Sequence, residues 1–271
     1  MDTISDRNPR VVSALKLVKA SERRATGLFL AEGANAAGGA IDSGVAREIF
    51  VSAEAAARYT DIIGRAQSRD IRVWQISDRV ANGLSETVTP QGVVAVCEQS
   101  QHTLDRVLSV AGESAFVAVL IDVNDPGNAG AIIRVADAAG AHAVLLLGES
   151  VDPYNGKVIR ATAGSFFHIP VVRARDTADA LDRMRKQRFL VLATTAQGDV
   201  ALPQLGLQPE IGPQRRVAWL LGNEAHGLPP GVLSVADLTV RIPIFGRAES
   251  LNLATAGALC LYESARLVRR E

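Results

Sequence analysis

Lysine is nearly missing from this chain. Among 271 residues it stands only at positions 16, 19, 157 and 186, and the rest of the 29 basic side chains are arginine. Arginine's planar fork suits phosphate, but alanine is also abundant. Codon bias is therefore the plainer cause, and the arginine excess alone assigns no partner. Formal net charge is zero, so bulk electrostatics does not announce a nucleic-acid ligand. Cysteine is scarce too. Cys97 and Cys260 lie far apart with no pairing pattern, which argues against a disulfide framework and for two buried thiols in a cytoplasmic protein. No apolar run reaches the roughly 18 residues a membrane helix needs, and "MDTISDRNPRVV" lacks the apolar stretch of a signal peptide. The four histidines and two cysteines show no metal-ligand spacing. No G-x-G-x-x-G follows a strand, no G-x-x-x-x-G-K-[ST] occurs and no G-x-S-x-G elbow occurs. A dinucleotide site, a P-loop and an α/β-hydrolase nucleophile are thereby disfavoured.

What is present is a globular composition, 48% hydrophobic and 21% charged, with length for one large core or two modest ones. Residues 1–100 alternate helical and strand patterns: helix from Val11 to Lys19, strands at 27–33, 47–52, 71–77 and 91–98, and helices at 34–44, 53–69 and 78–86, the last with Asp78 as its cap. The stretch 7–24 reads as a basic, partly amphipathic helix, and "RLVRR" closes the chain; each is either a solvated face or an RNA-contacting arm. Residues 101–112 fall in a polar, turn-rich stretch that reads as a linker carrying a short helix. From 113 to 271 the pattern is a second βα series. Its strands fall at 115–122, 143–148, 189–195, 216–222 and 238–244, and its helices at 128–139, about 155–164, 176–187 and 251–270. Nearly continuous apolar runs such as "AFVAVLID" fit a parallel sheet covered on both faces.

Parallel sheets bind ligands beyond the carboxyl ends of their strands, and three of those loops carry unusual residues. In "NDPGNAGAIIRVADAAGA" (124–141), Asn128 is placed to cap a helix. Gly127 and Gly130 permit close backbone approach. Arg134 leans back over the first turn, toward an anion site at the helix N-terminus. The alternative is a surface arginine paired with Asp137 or Asp122. In "LLGNEAHGLP" (220–229) an amide, a carboxylate and an imidazole, Asn223, Glu224 and His226, cluster between Gly222 and Gly227. In "IPIFGRAESLNLATAGALCLYE" (242–263) Ser250 is a good helix cap, Asn252 interrupts an apolar helix start, and small residues follow. That small-residue stretch suits either a tight core helix or the approach of a flat ligand.

The order of these three motifs resembles the SpoU (TrmH) family of the SPOUT superfamily, S-adenosylmethionine-dependent RNA ribose 2′-O-methyltransferases. "YNGKVIRATAGSFFHIPV" (154–171) is similar to that family's intervening segment. Residues 1–100 are similar, more loosely, to the L30e-like substrate-binding domain often attached to these enzymes. The resemblance implies an α/β protein: an L30e-like RNA-binding domain at 1–100, and a parallel-sheet methyltransferase domain at 113–271 with a deep trefoil knot. It implies Arg134, Asn128, Glu224, Ser250 and Asn252 as catalytic residues. It implies a donor pocket at Thr194, Thr195, Ala196, Leu221, Gly222, Ile242, Ile244, Leu251 and Leu253. S-adenosylmethionine would be the only cofactor, with no metal and no membrane. The partners would be structured RNA, rRNA ahead of tRNA, and a second copy of the chain joined through the knotted domain. The alternative is a tRNA 2′-O-methyltransferase or a non-catalytic RNA-binding relative, against which the presence of Arg134, Glu224 and Asn252 argues.

Overall fold

A computed structural model describes residues 1–212 and 214–268 of the chain; the last two arginines of the closing basic run, and the end of the helix expected to reach 270, lie outside the described residues. The chain divides into two compact units, Met1–Gln101 with Tyr154–His168, and His102–Pro153 with Ile169–Glu271.

In the first unit, five strands, β1 (Asp2–Thr3), β2 (Leu28–Glu32), β3 (Ala46–Val51), β4 (Arg72–Gln75) and β5 (Val93–Glu98), form one sheet in the order β1-β4-β3-β5-β2. β1, β4 and β3 run parallel, whereas β5 runs antiparallel to both β3 and β2. The expected helix over 11–19 and the basic stretch around it resolve into two helices, α1 (Pro9–Lys16) and α2 (Ala20–Thr26). Asn8 caps α1 and Pro9 opens it, a position where its missing N–H is no loss. Arg23 is buried, and its Nη1 donates to the carbonyls of Leu17 and Val18 at 3.0 and 2.8 Å, tying down the bend between the helices. Arg10 pairs with Glu48 at 2.9 Å. Two arginines of the supposed RNA arm are thus committed to the fold. Beyond α3 (Ala34–Asp42), the helix expected over 53–69 breaks at Tyr59 (φ −113°, ψ 49°) into α4 (Ala53–Arg58) and α5 (Thr60–Gln67). Ser77, not Asp78, caps α6 (Asp78–Gly83), accepting from Val80 N at 3.3 Å.

The chain then runs through α7 (Leu104–Ser109), β6 (Phe116–Ile121), α8 (Pro126–Ala139) and β7 (Ala143–Leu147) before Tyr154–His168, which carries α9 (Gly156–Ala161). Tyr154–His168, which falls inside the expected 113–271 domain, clusters with the first unit. The reason is aromatic. Phe29 of β2 meets Tyr154, Phe166 and Phe167 with ring centroids 4.9, 5.9 and 6.3 Å away, and Phe167 lies over Gly39 of α3. A Cβ on Gly39 would sit 2.8 Å from the Phe167 ring, so this close approach requires glycine. Arg160 of α9 reaches the buried Glu32 at 2.7 Å. Glu32 also accepts from the hydroxyls of Ser85 and Thr87.

The second unit is a seven-stranded sheet in which every pair is parallel, as its apolar runs predict. With β8 (Val171–Ala174), β9 (Leu190–Thr194), β10 (Val200–Ala201), β11 (Val217–Leu221) and β12 (Leu238–Arg241), the order is β10-β12-β9-β11-β6-β7-β8. β12 stops at Arg241, three residues short of the expected end. β8, with Arg173 in it, and β10, of two residues, are too short to stand out in the sequence. One face of the sheet is filled by Val107, Leu108, Leu181, Met184 and Val232, from α7, α10 (Thr177–Lys186) and α11 (Pro230–Leu233). On the other, α12 (Leu253–Val268) packs on β11 and α8, and the fully buried Trp219 of β11 donates to Ser264 Oγ at 2.7 Å. Gly257 of α12 faces Leu221 and Ile132, where a Cβ would sit at 3.2 and 3.4 Å. Gly257 there serves helix packing. Both cysteines are free and buried, and burial pushes each thiol above its usual range.

Candidate active site

β6 and β11 are neighbours in register, Leu120 opposite Leu221, so the loops that leave their carboxyl ends stand side by side. One is the Asn124–Asn128 turn into α8 and the other is the Gly222–Leu228 loop. Asn128 Nδ2 donates to Glu224 Oε1 at 2.5 Å, and Asn128 Oδ1 accepts from Asn252 Nδ2 at 2.9 Å. Asn252 Oδ1 in turn accepts from Ala254 N and Thr255 N, the open first turn of α12, at 2.9 and 3.2 Å. The two helix N–H groups fix which way the Asn252 amide points, and so the direction of the whole chain, which ends on the Glu224 carboxylate. Three expected catalytic residues from three motifs therefore form one hydrogen-bonded run.

Two expected caps are corrected. Asp125, not Asn128, caps α8, accepting from Asn128 N at 2.7 Å, which frees the Asn128 side chain to join the loops. Asn252, not Ser250, caps α12. Ser250 is exposed and its side chain makes no hydrogen bond among the described residues.

Arg134 lies one turn beyond Gly130 on α8. It is exposed, and its side chain makes no hydrogen bond or ion pair among the described residues. It is not held by Asp122, whose carboxylate instead accepts from Glu149 N at 2.8 Å. A helical side chain of this length slants toward the N-terminus. The free guanidinium is therefore placed to reach back toward the end of α8 from which Asn128 reaches Glu224.

The other expected residues fall at the carboxyl ends of adjacent strands, apart from Leu251 and Leu253, which stand just before and at the start of α12. Thr194 ends β9, opposite Val240 of β12, and its hydroxyl donates to Leu220 O at 2.9 Å. Thr195 is half-buried and Ala196 exposed just beyond. Ile242 follows β12 half-buried, while Ile244 and Leu251 are exposed at 39% and 37%; Leu221 and Leu253 are buried. Gly222 also has a duty within its own loop. A Cβ there would lie 2.4 Å from Gly227 C and 2.5 Å from Gly227 O, so the missing side chain makes room for the loop's own return. Asn223 and Gly227 bridge backbone to backbone across that return, at 3.1 and 2.8 Å. His226 is exposed.

Comparison with known proteins decides the family. Residues 115–262 match the model of the SpoU rRNA Methylase family. The chain belongs to that family. Residues 8–95 of this SpoU-family chain match an MRM3-like substrate binding domain. It is 35% identical over 260 residues to a Bacillus subtilis 23S rRNA (guanosine(2553)-2′-O)-methyltransferase, RlmP, covering 95% of this chain and 96% of that one. It is 34% identical over 208 residues to a 23S rRNA (uridine(2479)-2′-O)-methyltransferase from Streptomyces viridochromogenes, covering 73% and 69%. The crystal structure of an S-adenosylmethionine-bound rRNA methyltransferase from Sinorhizobium meliloti superposes with a TM-score of 0.83 at 32% identity, covering 97% of both chains.

The strand ends of the SpoU-family unit suit such a donor. Ile242, Ile244 and Leu251 offer apolar surface for a flat ring, and the strand ends at Leu221–Gly222 and Thr194–Ala196 offer peptide N–H and C=O groups for its edge. Buried Leu221 and Leu253 would contribute through backbone alone.

Proposed function

We propose that this protein transfers a methyl group from S-adenosylmethionine to the ribose 2′-oxygen of a nucleotide in large-subunit, 23S-type rRNA. The observation that carries the reading is the hydrogen-bonded run from α12 through Asn252 and Asn128 to Glu224, beside the unpartnered Arg134. Bound donor supplies an electrophilic sulfonium methyl. The protein must align a hydroxyl with it and remove the hydroxyl proton. Arginine stays protonated in proteins, so Arg134 acts as a clamp on the RNA phosphate beside the target ribose. Asn128 and Asn252 hold Glu224 in place, and its second oxygen receives the hydroxyl proton or relays it to water. Exposed Ser250 orients the ribose. Thr194, Thr195, Ala196, Leu221, Gly222, Ile242, Ile244, Leu251 and Leu253 form the donor pocket.

The same reading assigns the rest of the chain. β11 enters between β9 and β6, and β12 between β10 and β9, a path that suits the deep knot of this family. A second copy of the chain covers Leu259 and Tyr262, exposed at 44% and 55% on α12, and Phe245, exposed at 95%. The first unit, residues 1–101 with 154–168, binds the rRNA, and the second, 102–153 with 169–271, transfers the methyl group. The enzyme works in the cytoplasm; no described helix is long and apolar enough to cross a membrane. Tritium transfer from labelled S-adenosylmethionine to 23S rRNA, followed by mapping of 2′-O-methyl sites with and without the gene, tests this. One gene-dependent site in 23S rRNA is expected. A site in tRNA alone, or no transfer to any RNA, would overturn it.

A further inference from the structure

We infer that Asp122 and Asn223, which no motif reading assigns, form a clamp that sets the position of Glu224, and that Asn223 is a positioning residue for methyl transfer. The inference rests on the proposed role of Glu224. Asp122 follows directly on β6, at the centre of the sheet, and has a φ of +55°. That left-handed backbone is uncommon outside glycine, though aspartate and asparagine adopt it more readily than other side chains. Two contacts hold it there. Asp122 Oδ1 accepts from Glu149 N at 2.8 Å, and its carbonyl accepts from Asn223 Nδ2 at 2.8 Å. Gly148, itself at φ +62°, leaves room for the carboxylate, since a Cβ there would sit 2.3 Å from Asp122 Oδ1.

Asn223 is used at both ends of its amide. Nδ2 grips the Asp122 carbonyl, and Oδ1 accepts from Ala225 N at 2.9 Å across the loop tip. Its backbone pairs with Gly227 in both directions. The residue between Asn223 and Ala225 is Glu224, so the catalytic carboxylate sits on a loop apex fastened from one side by this clamp. From the other side it is fastened by Asn128. Asp122 and Asn128 are six residues apart on the same connection, so a single strand end supports Glu224 from both directions. An active-site group displaced by about 1 Å can lose about a hundredfold in rate.

The test uses the full-length enzyme. Asn223→Asp keeps the acceptor for Ala225 N but sets an oxygen against the Asp122 carbonyl. It should lower kcat by at least about tenfold, with the Kd for S-adenosylmethionine, the KM for RNA and the Tm each close to wild type. In the Glu224→Gln background the same substitution should have almost no further effect, because residues that act as a unit are not additive. At position 122, Asp122→Gly tolerates the positive φ and should lose less activity than Asp122→Val, which does not. Wild-type kcat in Asn223→Asp would overturn the inference, as would full additivity with Glu224→Gln. A fall in kcat matched by equal losses of donor affinity and Tm would overturn it too. Wild-type kcat in Glu224→Gln alone would instead sink the reading of Glu224 on which the clamp rests.

Discussion

Two arginines, each on a helix that follows a strand, show how differently the two units spend their charge. In the first unit, Arg160 is mostly buried and is answered at 2.7 Å by Glu32, itself 6% exposed and accepting from two hydroxyls as well. In the second, Arg134 is exposed and has no side-chain partner among the described residues. The sheet around Arg134 has carboxylates to offer, yet Asp122 is occupied by Glu149 N and Glu224 by Asn128. A satisfied buried ion pair closes a core. An unsatisfied guanidinium on the helix that carries Asn128 is what the proposed function reads as a clamp for an anion. Charge alone does not distinguish the two arginines; the completeness of their hydrogen bonding does.

The comparison can be broken at several points. The largest effect is expected at the buried pair. Arg160→Ala leaves Glu32 without its countercharge and should lower the stability of the first unit by about 3–5 kcal/mol, read by urea denaturation. A loss below about 1 kcal/mol would mean that the hydroxyls of Ser85 and Thr87 suffice. Cutting the amide run comes next. Asn128→Ala should reduce methyl transfer by roughly tenfold to a hundredfold, about 1.4–2.7 kcal/mol of barrier. The melting temperature should change by only a few degrees, because Asp125 still caps α8. Steady-state kinetics with thermal melting would check both halves of that statement. The smallest effect sharpens the aromatic seam. Gly39→Ala sets a methyl against the edge of a movable Phe167 ring and should destabilise by about 1 kcal/mol, the low end of the usual range for overpacking. An unchanged midpoint would show that the ring gives way freely.

The strands that carry the site were legible, because β6, β7, β9 and β11 are apolar runs bounded by turn residues. The edge strands were not. β8 reads Val171-Val172-Arg173-Ala174, with an arginine in its middle, and β10 has two residues. That Asn128 meets Glu224 depends on β11 lying beside β6, and strand order is a property of the whole sheet, not of any local pattern. The motif resemblance supplied what periodicity lacked. The caps differ from the expected ones for a local reason. Asp125 and Asn128, like Ser250 and Asn252, are all capable cap residues within a few positions, and only the helix start decides between them. The placement of Tyr154–His168 in the first unit was hidden although its signal, "SFF" after a run of small residues, was in view. It also means that a cut at residue 100 strips Tyr154, Phe166 and Phe167 from Phe29, so truncation cannot separate RNA recognition from catalysis cleanly.

Arg134 offers the most direct test, through methyl transfer to 23S rRNA measured alongside calorimetric S-adenosylmethionine binding for wild type, Arg134→Ala and Arg134→Lys. The account predicts that alanine abolishes transfer, with a loss of at least about a hundredfold, while donor affinity stays near wild type. Lysine should also fail, because a point charge cannot reproduce the planar two-pronged grip on phosphate. Wild-type turnover in the alanine variant would contradict the account, and a collapse of donor binding would place Arg134 on the donor side of the site instead of the RNA side.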